Sequence, residues 1–280
     1  MPIEIQRISP TIGAVVSGVD LAEPLANETF NALYDAFNEH SVLRLPNQTL
    51  SVAQHVAFSR RFGELEQHVL KEDLLDGHPE IYILSNKVKD GKRVGRAKAG
   101  WYWHTDLSYQ TNPSKASFMH ALEIPSMGGD TMFASTAAAY EALSEPIKQL
   151  LEGLTAEHDF RHAYETFSKR WAPLISEEAF RARPPVVHPV VRTHPETGRK
   201  SIYVNEGFTT RILEVSHDES AALLDFLYRH MTRPEFVYRH QWSVNDFVMW
   251  DNRVTMHCAL GDYDEDRYMH RTTISGDVIK

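Results

Sequence analysis

The sequence predicts a mainly β fold with flanking helices (α+β), built around a jelly-roll or barrel core. Short runs rich in β-branched and aromatic residues recur along the 280 residues, and Gly and Pro turns separate them. Only a few segments have helical periodicity, and the chain contains no internal repeat or low-complexity tract. We therefore interpret residues 1–280 as a single domain, which is long enough to bury a substantial core.

The first third of the chain alternates short strands with two helices. From Phe30 onward, apolar residues at i, i+3, i+4 and i+7 form the stripe of a helix that packs on a core. The predicted elements are strands within residues 3–20, a helix over 27–39 with Asn27 as its N-cap, a strand at 42–45, a helix that begins at the Ser51/Gln54 capping box and ends before Gly63, and a strand at 81–85.

The rest of the chain contains more strands and two further helical stretches. Residues 160–185 are polar and rich in Arg and Pro, so that their pattern favours no element. The predicted elements are strands at 117–122 and 130–134, a helix over most of 136–153, a hairpin of 186–193 with 200–205, a helix from the Ser216/Glu219 capping box to about residue 231, and strands at 235–242, 244–250 and 267–275.

Residues 101–106, Trp-Tyr-Trp-His-Thr-Asp, contain a candidate metal motif. In an extended strand, His104 and Asp106 point to the same face, so an imidazole nitrogen and a carboxylate oxygen could reach one ion. His257 lies between an apolar strand and a turn and is the candidate third ligand, whereas Cys258 beside it would point to the opposite face. Two His and one carboxylate with open coordination positions are typical of non-haem Fe(II) oxygenases.

This motif also has other interpretations. Because the chain holds 15 His, roughly one His-x-Asp pair is expected by chance, as a polar pair in a surface turn. The same three ligands would suit a zinc hydrolase with a metal-bound water. A third interpretation is a non-catalytic jelly-roll module that binds an anion.

Arg267 and Arg271 form a second informative pair. On a strand they share a face, with Cα atoms roughly 13 Å apart. Two guanidinium groups on an inward face are costly unless each meets an anion, and arginine matches a carboxylate in bidentate fashion. An inward-facing pair would therefore predict two anionic ligands, a cosubstrate and a substrate. The alternative is an outward face with solvated charges.

Residues 87–100 form a basic stretch that leads directly into the metal motif. It contains six Lys and Arg residues interspersed with glycines and has little apolar content. Such a loop beside a candidate metal site could serve as a lid. The equally weighted alternative is a solvated surface loop.

Composition excludes several classes of partner. The net charge of −9, without a long basic stripe, argues against a nucleic-acid partner but permits a small anionic substrate. No apolar run approaches the length needed to span a membrane, and the N-terminus lacks the pattern of a signal peptide. The single Cys258 excludes an internal disulfide and predicts a cytoplasmic location.

The chain resembles the 2-oxoglutarate-dependent taurine dioxygenase family, which includes the herbicide-degrading aryloxyacetate dioxygenases. The resemblance extends over nearly the whole chain. It is densest at residues 61–64, 103–106, 128–131, 188–195, 205–211, 250–255 and 269–271. It implies a double-stranded β-helix that uses Fe(II), 2-oxoglutarate and O2 and assembles as a homodimer or homotetramer.

The resemblance also implies roles for individual residues. His104, Asp106 and His257 would hold Fe(II), and Thr131 with Arg267 would hold the distal carboxylate of 2-oxoglutarate. His68 and Arg271 resemble by position the residues that hold the sulfonate of taurine. Trp101 and Phe208 are candidates for apolar walls of the substrate site.

One departure from the family pattern bears on the substrate. Gly100 stands where the taurine enzymes have an Asn that helps to bind the substrate amine. We expect hydroxylation of a small organic anion, namely a sulfonate such as taurine or an alkyl sulfonate, a sulfate ester or a carboxylate, and we expect amine-free anions to outperform taurine. The reaction would release succinate and CO2, with sulfite and an aldehyde if a sulfonate is attacked. An aryloxyalkanoate dioxygenase is the alternative within the family.

Overall fold

The computed structural model describes residues 3–67, 71–170, 172 and 174–279. The strands are β1 (Glu4–Arg7), β2 (Ala14–Ser17), β3 (Val42–Leu45), β4 (Leu74–Leu75), β5 (His78–Ser85), β6 (Val88–Lys89), β7 (Lys92–Arg93), β8 (Ala116–Glu123), β9 (Thr131–Ser135), β10 (Thr155–His158), β11 (Val186–Pro189), β12 (Val191–Thr193), β13 (Lys200–Ile202), β14 (Thr209–Ile212), β15 (Val237–His240), β16 (Phe247–Asp251), β17 (Thr255–Ala259) and β18 (Tyr268–Ile274).

The helices are shorter in total than the strands. The α-helices are α1 (Asn27–His40), α2 (Val52–Ser59), α3 (Thr136–Glu141), α4 (Glu145–Leu151), α5 (Phe160–Ala163), α6 (Glu177–Arg181) and α7 (His217–Met231). Short 3₁₀ turns occur at Arg60–Phe62, Lys71–Asp73 and Pro234–Phe236, and a π-helical turn, Tyr164–Ser168, continues α5.

The largest sheet has eight strands in the order β1-β2-β3-β16-β8-β18-β5-β4. Strand β16 lies near its centre and is buried along its whole length. Its side chains alternate between two hydrophobic clusters, as a pleated strand requires. Phe247 and Met249 pack with α1 and α2 on one face, while Val248 and Trp250 face the opposite side.

A three-stranded sheet, β15-β9-β17, covers that opposite side. Phe133 of β9 packs against Trp250 of β16 with ring centroids 5.5 Å apart, so that apolar side chains fill the space between the two sheets. The outer face of the small sheet carries Ala134 and Met256, which pack with α3 and α7. The candidate site lies between the two sheets, where β17 approaches the segment that contains His104.

The sequence predicted most of these elements. The Ser51/Gln54 and Ser216/Glu219 capping boxes are both formed and begin α2 and α7. The predicted hairpin is present as β12 paired with β13, although β11 joins a different sheet with β10.

Outside residues 101–106, three local predictions were wrong. Asn27 is not an N-cap but the first residue of α1, whose cap position is Ala26 without a side-chain hydrogen bond. The helix predicted over most of 136–153 is split into α3 and α4, because Ser144 and Pro146 begin a new helix. His257 lies in the middle of β17 and not beyond a strand end.

Across the described residues, no helix combines the length and apolar character that crossing a membrane requires. The cytoplasmic location stays a prediction from the sequence.

Candidate metal centre and its two chambers

His104 and His257 face each other across an isolated antiparallel bridge. The backbone N–H of His104 donates to the carbonyl oxygen of His257 at 3.0 Å, and the reverse bond is 2.8 Å. Directly opposed residues in such a pair project side chains to the same face. The two imidazole rings therefore lie side by side, with centroids 4.1 Å apart.

Asp106 reaches the same point because the chain turns, and not because it continues as a strand. Only His104 of the motif pairs with a strand, and the chain turns over residues 106–109, where Leu107 adopts a φ of +57°. The structure thus brings together the three side chains that the sequence suggested as ligands, but the regular strand expected at 104–106 is wrong. The turn places the carboxylate of Asp106 opposite both rings.

The three side chains present ligand atoms at one point. The Nε2 atoms of His104 and His257 lie 3.7 and 3.8 Å from the two carboxylate oxygens of Asp106, and all three residues are buried. Each of the three residues offers one ligand atom, and these three atoms lie within 4.8 Å of one another. Cys258 does not join it, as the alternation of the strand predicts.

The charge states of the three side chains suit metal coordination. Burial lowers the pKa of His104 and lowers that of His257 well below its ordinary value, so both rings are neutral near pH 7. Burial would raise the pKa of the Asp106 carboxyl, but the charge of the Arg271 guanidinium and the hydrogen bond from Ser117 act against it, and that pKa lies below its usual range. Neutral imidazole and ionised carboxylate are the forms that bind a metal.

Hydrogen bonds orient two of the three candidate ligands. His104 Nδ1 lies 2.9 Å from the carbonyl oxygen of Tyr102, which assigns the proton to Nδ1 and leaves Nε2 as the metal-facing acceptor. Ser117 donates to Asp106 Oδ2 at 2.7 Å, and Asn252 in turn donates to Ser117 at 3.0 Å. Ser117 and Asn252 were not predicted as site residues, because serine and asparagine are common in strands and turns and neither has a distinctive spacing here.

One cavity, the Arg267 chamber, extends from the two His residues toward Arg267 and Thr131. Its empty space is about 600 Å³. Arg267 is 7% exposed and, within the described residues, forms no ion pair with a carboxylate. The Thr131 hydroxyl accepts from Trp242 Nε1 at 3.0 Å, so its own proton is free to be donated. A buried cation beside a free hydroxyl donor suits a carboxylate.

A second cavity, the aromatic chamber, lies on the other side of His104 beside Asp106. Its empty space is about 670 Å³. Its aromatic walls are Tyr82, Tyr102, Tyr109, Phe160, Tyr164 and Phe208. Phe160 and Tyr164 come from α5 and the π-helical turn, the region to which the sequence pattern assigned no element.

The two chambers share Arg271, which is buried between them. Its Nη1 atom donates to Asp106 Oδ1 at 3.0 Å, and its Nε has no hydrogen-bond partner in the described part of the chain. Arg267 and Arg271 thus both face inward, as one of the two sequence interpretations expected. Arg267 precedes β18, however, and does not lie on it.

The remaining predicted site residues fall in different places. Phe208 lines the aromatic chamber, whereas Trp101 lines the Arg267 chamber, with its indole against the backbone of Gly261. Gly100 borders both chambers with a φ of +68°, and a Cβ there would lie 2.7 Å from His104 Cε1. His68 lies outside the described residues.

Comparison with known proteins identifies the family to which this site belongs. The family model "Taurine catabolism dioxygenase TauD, TfdA family" matches residues 4–273. The chain belongs to the TauD/TfdA family of dioxygenases. This confirms the resemblance read from the sequence.

Individual relatives of this TauD/TfdA dioxygenase agree with the family assignment. It is 34% identical over 290 residues to the alpha-ketoglutarate-dependent 2,4-dichlorophenoxyacetate dioxygenase of Cupriavidus pinatubonensis, with 100% of both chains covered. It is 35% identical over 285 residues to an alkylsulfatase of Acinetobacter baylyi, with 99% of this chain and 86% of the relative covered. The crystal structure of AAD-2 in complex with Mn(II) and N-oxalylglycine superposes with a TM-score of 0.84 at 34% identity, covering 99% and 98% of the two chains.

The TauD/TfdA enzyme is accordingly a 2-oxoglutarate-dependent dioxygenase that uses Fe(II) and O2. Its donor set fits the metal, since two neutral imidazoles and one carboxylate converge on one side of a point that both chambers reach. Family membership sets aside the zinc hydrolase and the non-catalytic binding module.

Proposed function

We propose that this dioxygenase hydroxylates a small organic anion that has an apolar body and lacks an amine. One observation carries the proposal: two chambers meet at the His104/Asp106/His257 group, and arginine side chains line both. One chamber accommodates the anionic cosubstrate and the other accommodates the anionic substrate. We further propose that residues 1–280 form one domain whose two facing sheets are a double-stranded β-helix.

In this proposal, His104, Asp106 and His257 hold Fe(II) through His104 Nε2, His257 Nε2 and the Asp106 carboxylate. The support comes from the distances of 3.7 and 3.8 Å between these atoms and from the hydrogen bonds that fix the His104 tautomer and the Asp106 carboxylate. The bound iron would supply O2 activation coupled to the oxidation of 2-oxoglutarate to succinate and CO2. The second oxygen atom of O2 enters the substrate as a hydroxyl group.

Arg267 and Thr131 hold the distal carboxylate of 2-oxoglutarate. Arg267 supplies a buried guanidinium fork, and the Thr131 hydroxyl donates one neutral hydrogen bond. Trp242 keeps the Thr131 hydroxyl oriented by donating to it. The Arg267 chamber extends from Arg267 to the two imidazoles. A cosubstrate whose distal carboxylate is bound at Arg267 therefore has its other end beside the imidazoles.

The substrate occupies the aromatic chamber, with its apolar body against Phe208 and its neighbours and its anionic head toward Arg271. The aromatic lining excludes water from the reacting carbon and favours an apolar body. His68 stays a prediction for the anionic head, and Trp101 stays a prediction as a wall, since it borders the cosubstrate side. The names of the relatives refer to different substrates, so none of these substrates can be assigned directly to this chain.

The test is succinate formation by the purified, Fe(II)-loaded enzyme with 2-oxoglutarate and a panel of prime substrates. The panel contains phenoxyacetate, hexyl sulfate, hexanesulfonate and taurine. We expect at least one amine-free anion to raise the rate above that without prime substrate and to yield a hydroxylated product or its breakdown products. His257→Ala should abolish Mn(II) binding and turnover. Stimulation by none of the four compounds would contradict the proposed substrate class.

We also propose a homodimer or homotetramer, on the basis of the family resemblance. Light scattering of the purified protein during size exclusion gives the mass directly. A monomer of 32.0 kDa would contradict this proposal.

A further inference from the structure

The end of the basic segment 87–100 docks onto the large sheet, whereas residues 88–93 form an exposed hairpin. After the β6–β7 hairpin, the backbone N–H of Arg96 donates to the carbonyl oxygen of Ile83 at 2.9 Å, and the N–H of Ser85 donates to that of Arg96 at 3.0 Å. Gly95 permits this close approach: its φ is +81°, and a Cβ there would lie 2.4 Å from the Ile83 side chain. Arg96 is thereby held at a fixed position on the edge of β5.

That position directs Arg96 into the site. Arg96 lines both the aromatic chamber and the Arg267 chamber and is half-buried. Its guanidinium forms no ion pair or hydrogen bond with any side chain in the part of the chain that the structure describes. The buried Asp73 carboxyl interacts electrostatically with it but lies beyond ion-pair distance.

Among the described residues that line the aromatic chamber, Arg96 is the arginine whose side chain bonds no carboxylate. Arg271 also lines this chamber, but its Nη1 is hydrogen-bonded to Asp106. An anionic head bound to Arg271 alone would share that guanidinium with the Asp106 carboxylate. The Arg267 chamber already has a cation of its own in Arg267. The Arg96 guanidinium, at the edge of the aromatic chamber, is therefore placed to bind the anionic head of a substrate.

We propose that Arg96 binds the anionic head of the substrate in the aromatic chamber and thereby determines the preference for anions. This inference rests on the proposed function, since it assumes that the aromatic chamber takes the prime substrate. Arg271 is shared between that head and Asp106. Arg96 and the backbone that docks it on β5 are then a fixed part of the substrate site, whereas the exposed hairpin of residues 88–93 is not. The chemistry recognised is one carboxylate, sulfonate or sulfate group next to an aromatic or alkyl body.

The test compares substrate binding in Arg96→Leu, Arg96→Lys and Arg93→Leu. Arg93→Leu is a matched control, because it removes the same charge from the same segment. Arg93 is exposed and lines neither chamber. Each protein is loaded with Mn(II) and N-oxalylglycine and titrated calorimetrically with phenoxyacetate, hexyl sulfate and hexanesulfonate. Phenoxyacetamide serves as the neutral counterpart of phenoxyacetate. Steady-state KM values for 2-oxoglutarate are measured in parallel.

We expect Arg96→Leu to weaken binding of the anions about tenfold or more, which corresponds to about 1.4 kcal/mol. Arg96→Lys should recover part of this loss, and Arg93→Leu should have less than a threefold effect. Binding of phenoxyacetamide and the KM for 2-oxoglutarate should change by less than threefold in all three variants. Because the backbone bonds of Arg96 do not involve its side chain, Arg96→Lys also controls for folding.

Two results would overturn the role of Arg96 and leave the proposed function intact. Anion binding could stay unchanged in Arg96→Leu, or the KM for 2-oxoglutarate could rise while anion binding is retained, which would assign Arg96 to the cosubstrate. If wild-type protein bound none of the three anions, the proposed substrate class would fail, and the inference would fail with it.

Discussion

Arg271 donates a hydrogen bond from Nη1 to Oδ1 of Asp106 at 3.0 Å, with both side chains buried. The Ser117 hydroxyl occupies the other carboxylate oxygen at 2.7 Å. The candidate metal ligand and the candidate substrate-binding arginine therefore form one electrostatic unit. Substitution of Arg271 should consequently affect metal binding as well as substrate binding, whereas a residue that contacts only substrate should not.

Arg271→Leu should destabilise the metal-free protein. It leaves the Asp106 carboxylate buried without its cation, and removing one partner of a buried ion pair costs about 3–5 kcal/mol. Added Mn(II) restores a positive charge beside Asp106, so it should raise the Tm of the variant more than that of the wild type. Differential scanning fluorimetry with and without Mn(II) measures both effects. Arg267→Leu is the control, since Arg267 has no carboxylate partner among the described residues; equal losses of Tm in the two metal-free variants would contradict this coupling.

Arg267→Leu should act on the cosubstrate. Losing a buried bidentate contact to a carboxylate costs on the order of 2–5 kcal/mol, or tens- to thousands-fold in the KM for 2-oxoglutarate, with little change in the KM of the prime substrate. Thr131→Val should raise the same KM more weakly, because it removes one neutral hydrogen bond. Succinate assays at varied 2-oxoglutarate give both values. If Arg271→Leu had this phenotype and Arg267→Leu lacked it, the roles of the two arginines would be exchanged.

The sequence predicted the chemistry of the site better than its geometry. His104 and Asp106 were identified from their spacing in the motif, and the family resemblance supported them with His257 and the two arginines. The assumed strand at 104–106 was wrong, because a turn at 106–109 brings the carboxylate round to the rings. A two-residue spacing is compatible with both backbone paths, so the sequence alone could not distinguish them.

Residues that the fold brings to the site from other parts of the chain were not predictable. Ser117 reaches Asp106 from the neighbouring strand β8, and Asn252 reaches Ser117 from beyond β16. Neither has a chemically distinctive pattern in the sequence. The docking of residues 94–96 onto β5 was also missed, because it depends on backbone hydrogen bonds that any residue type can form.

Ser117→Ala should weaken metal binding by about tenfold or more, since partners that orient metal ligands typically contribute 10- to 100-fold in affinity. Ser114→Ala is a matched control: Ser114 is equally buried and also bonds Asn252, but it does not contact Asp106. Calorimetric titration with Mn(II) compares the two variants. A similar loss in Ser114→Ala would show that the Asn252 network acts through general packing and not through the Asp106 carboxylate.

Gly100→Asn should impair the metal site without producing a taurine enzyme. The φ of +68° at Gly100 is tolerable for Asn, but the added Cβ would lie 2.7 Å from His104 Cε1 and would displace the imidazole. We expect weaker Mn(II) binding and lower turnover of every substrate. Gly91→Asn is the control, since Gly91 has a φ of +73° with nothing near its missing Cβ. Unchanged Mn(II) affinity together with a gain in taurine turnover would contradict this expectation.

Substrate choice should follow the character of the aromatic chamber. Six aromatic side chains line it. By the family resemblance, Gly100 stands where the taurine enzymes have an amine-binding Asn, and it has no side chain to offer. The ammonium group of taurine would be left without a hydrogen-bond partner at that position, and sites discriminate strongly against a buried charge that stays unpaired. We therefore expect phenoxyacetate, hexyl sulfate or hexanesulfonate to exceed taurine in kcat/KM by at least tenfold, or about 1.4 kcal/mol in transition-state binding. Competition assays that follow succinate and each product, with taurine and one amine-free anion in the same reaction, measure this ratio directly. A preference for taurine of tenfold or more would mean that another group in the chamber binds the amine.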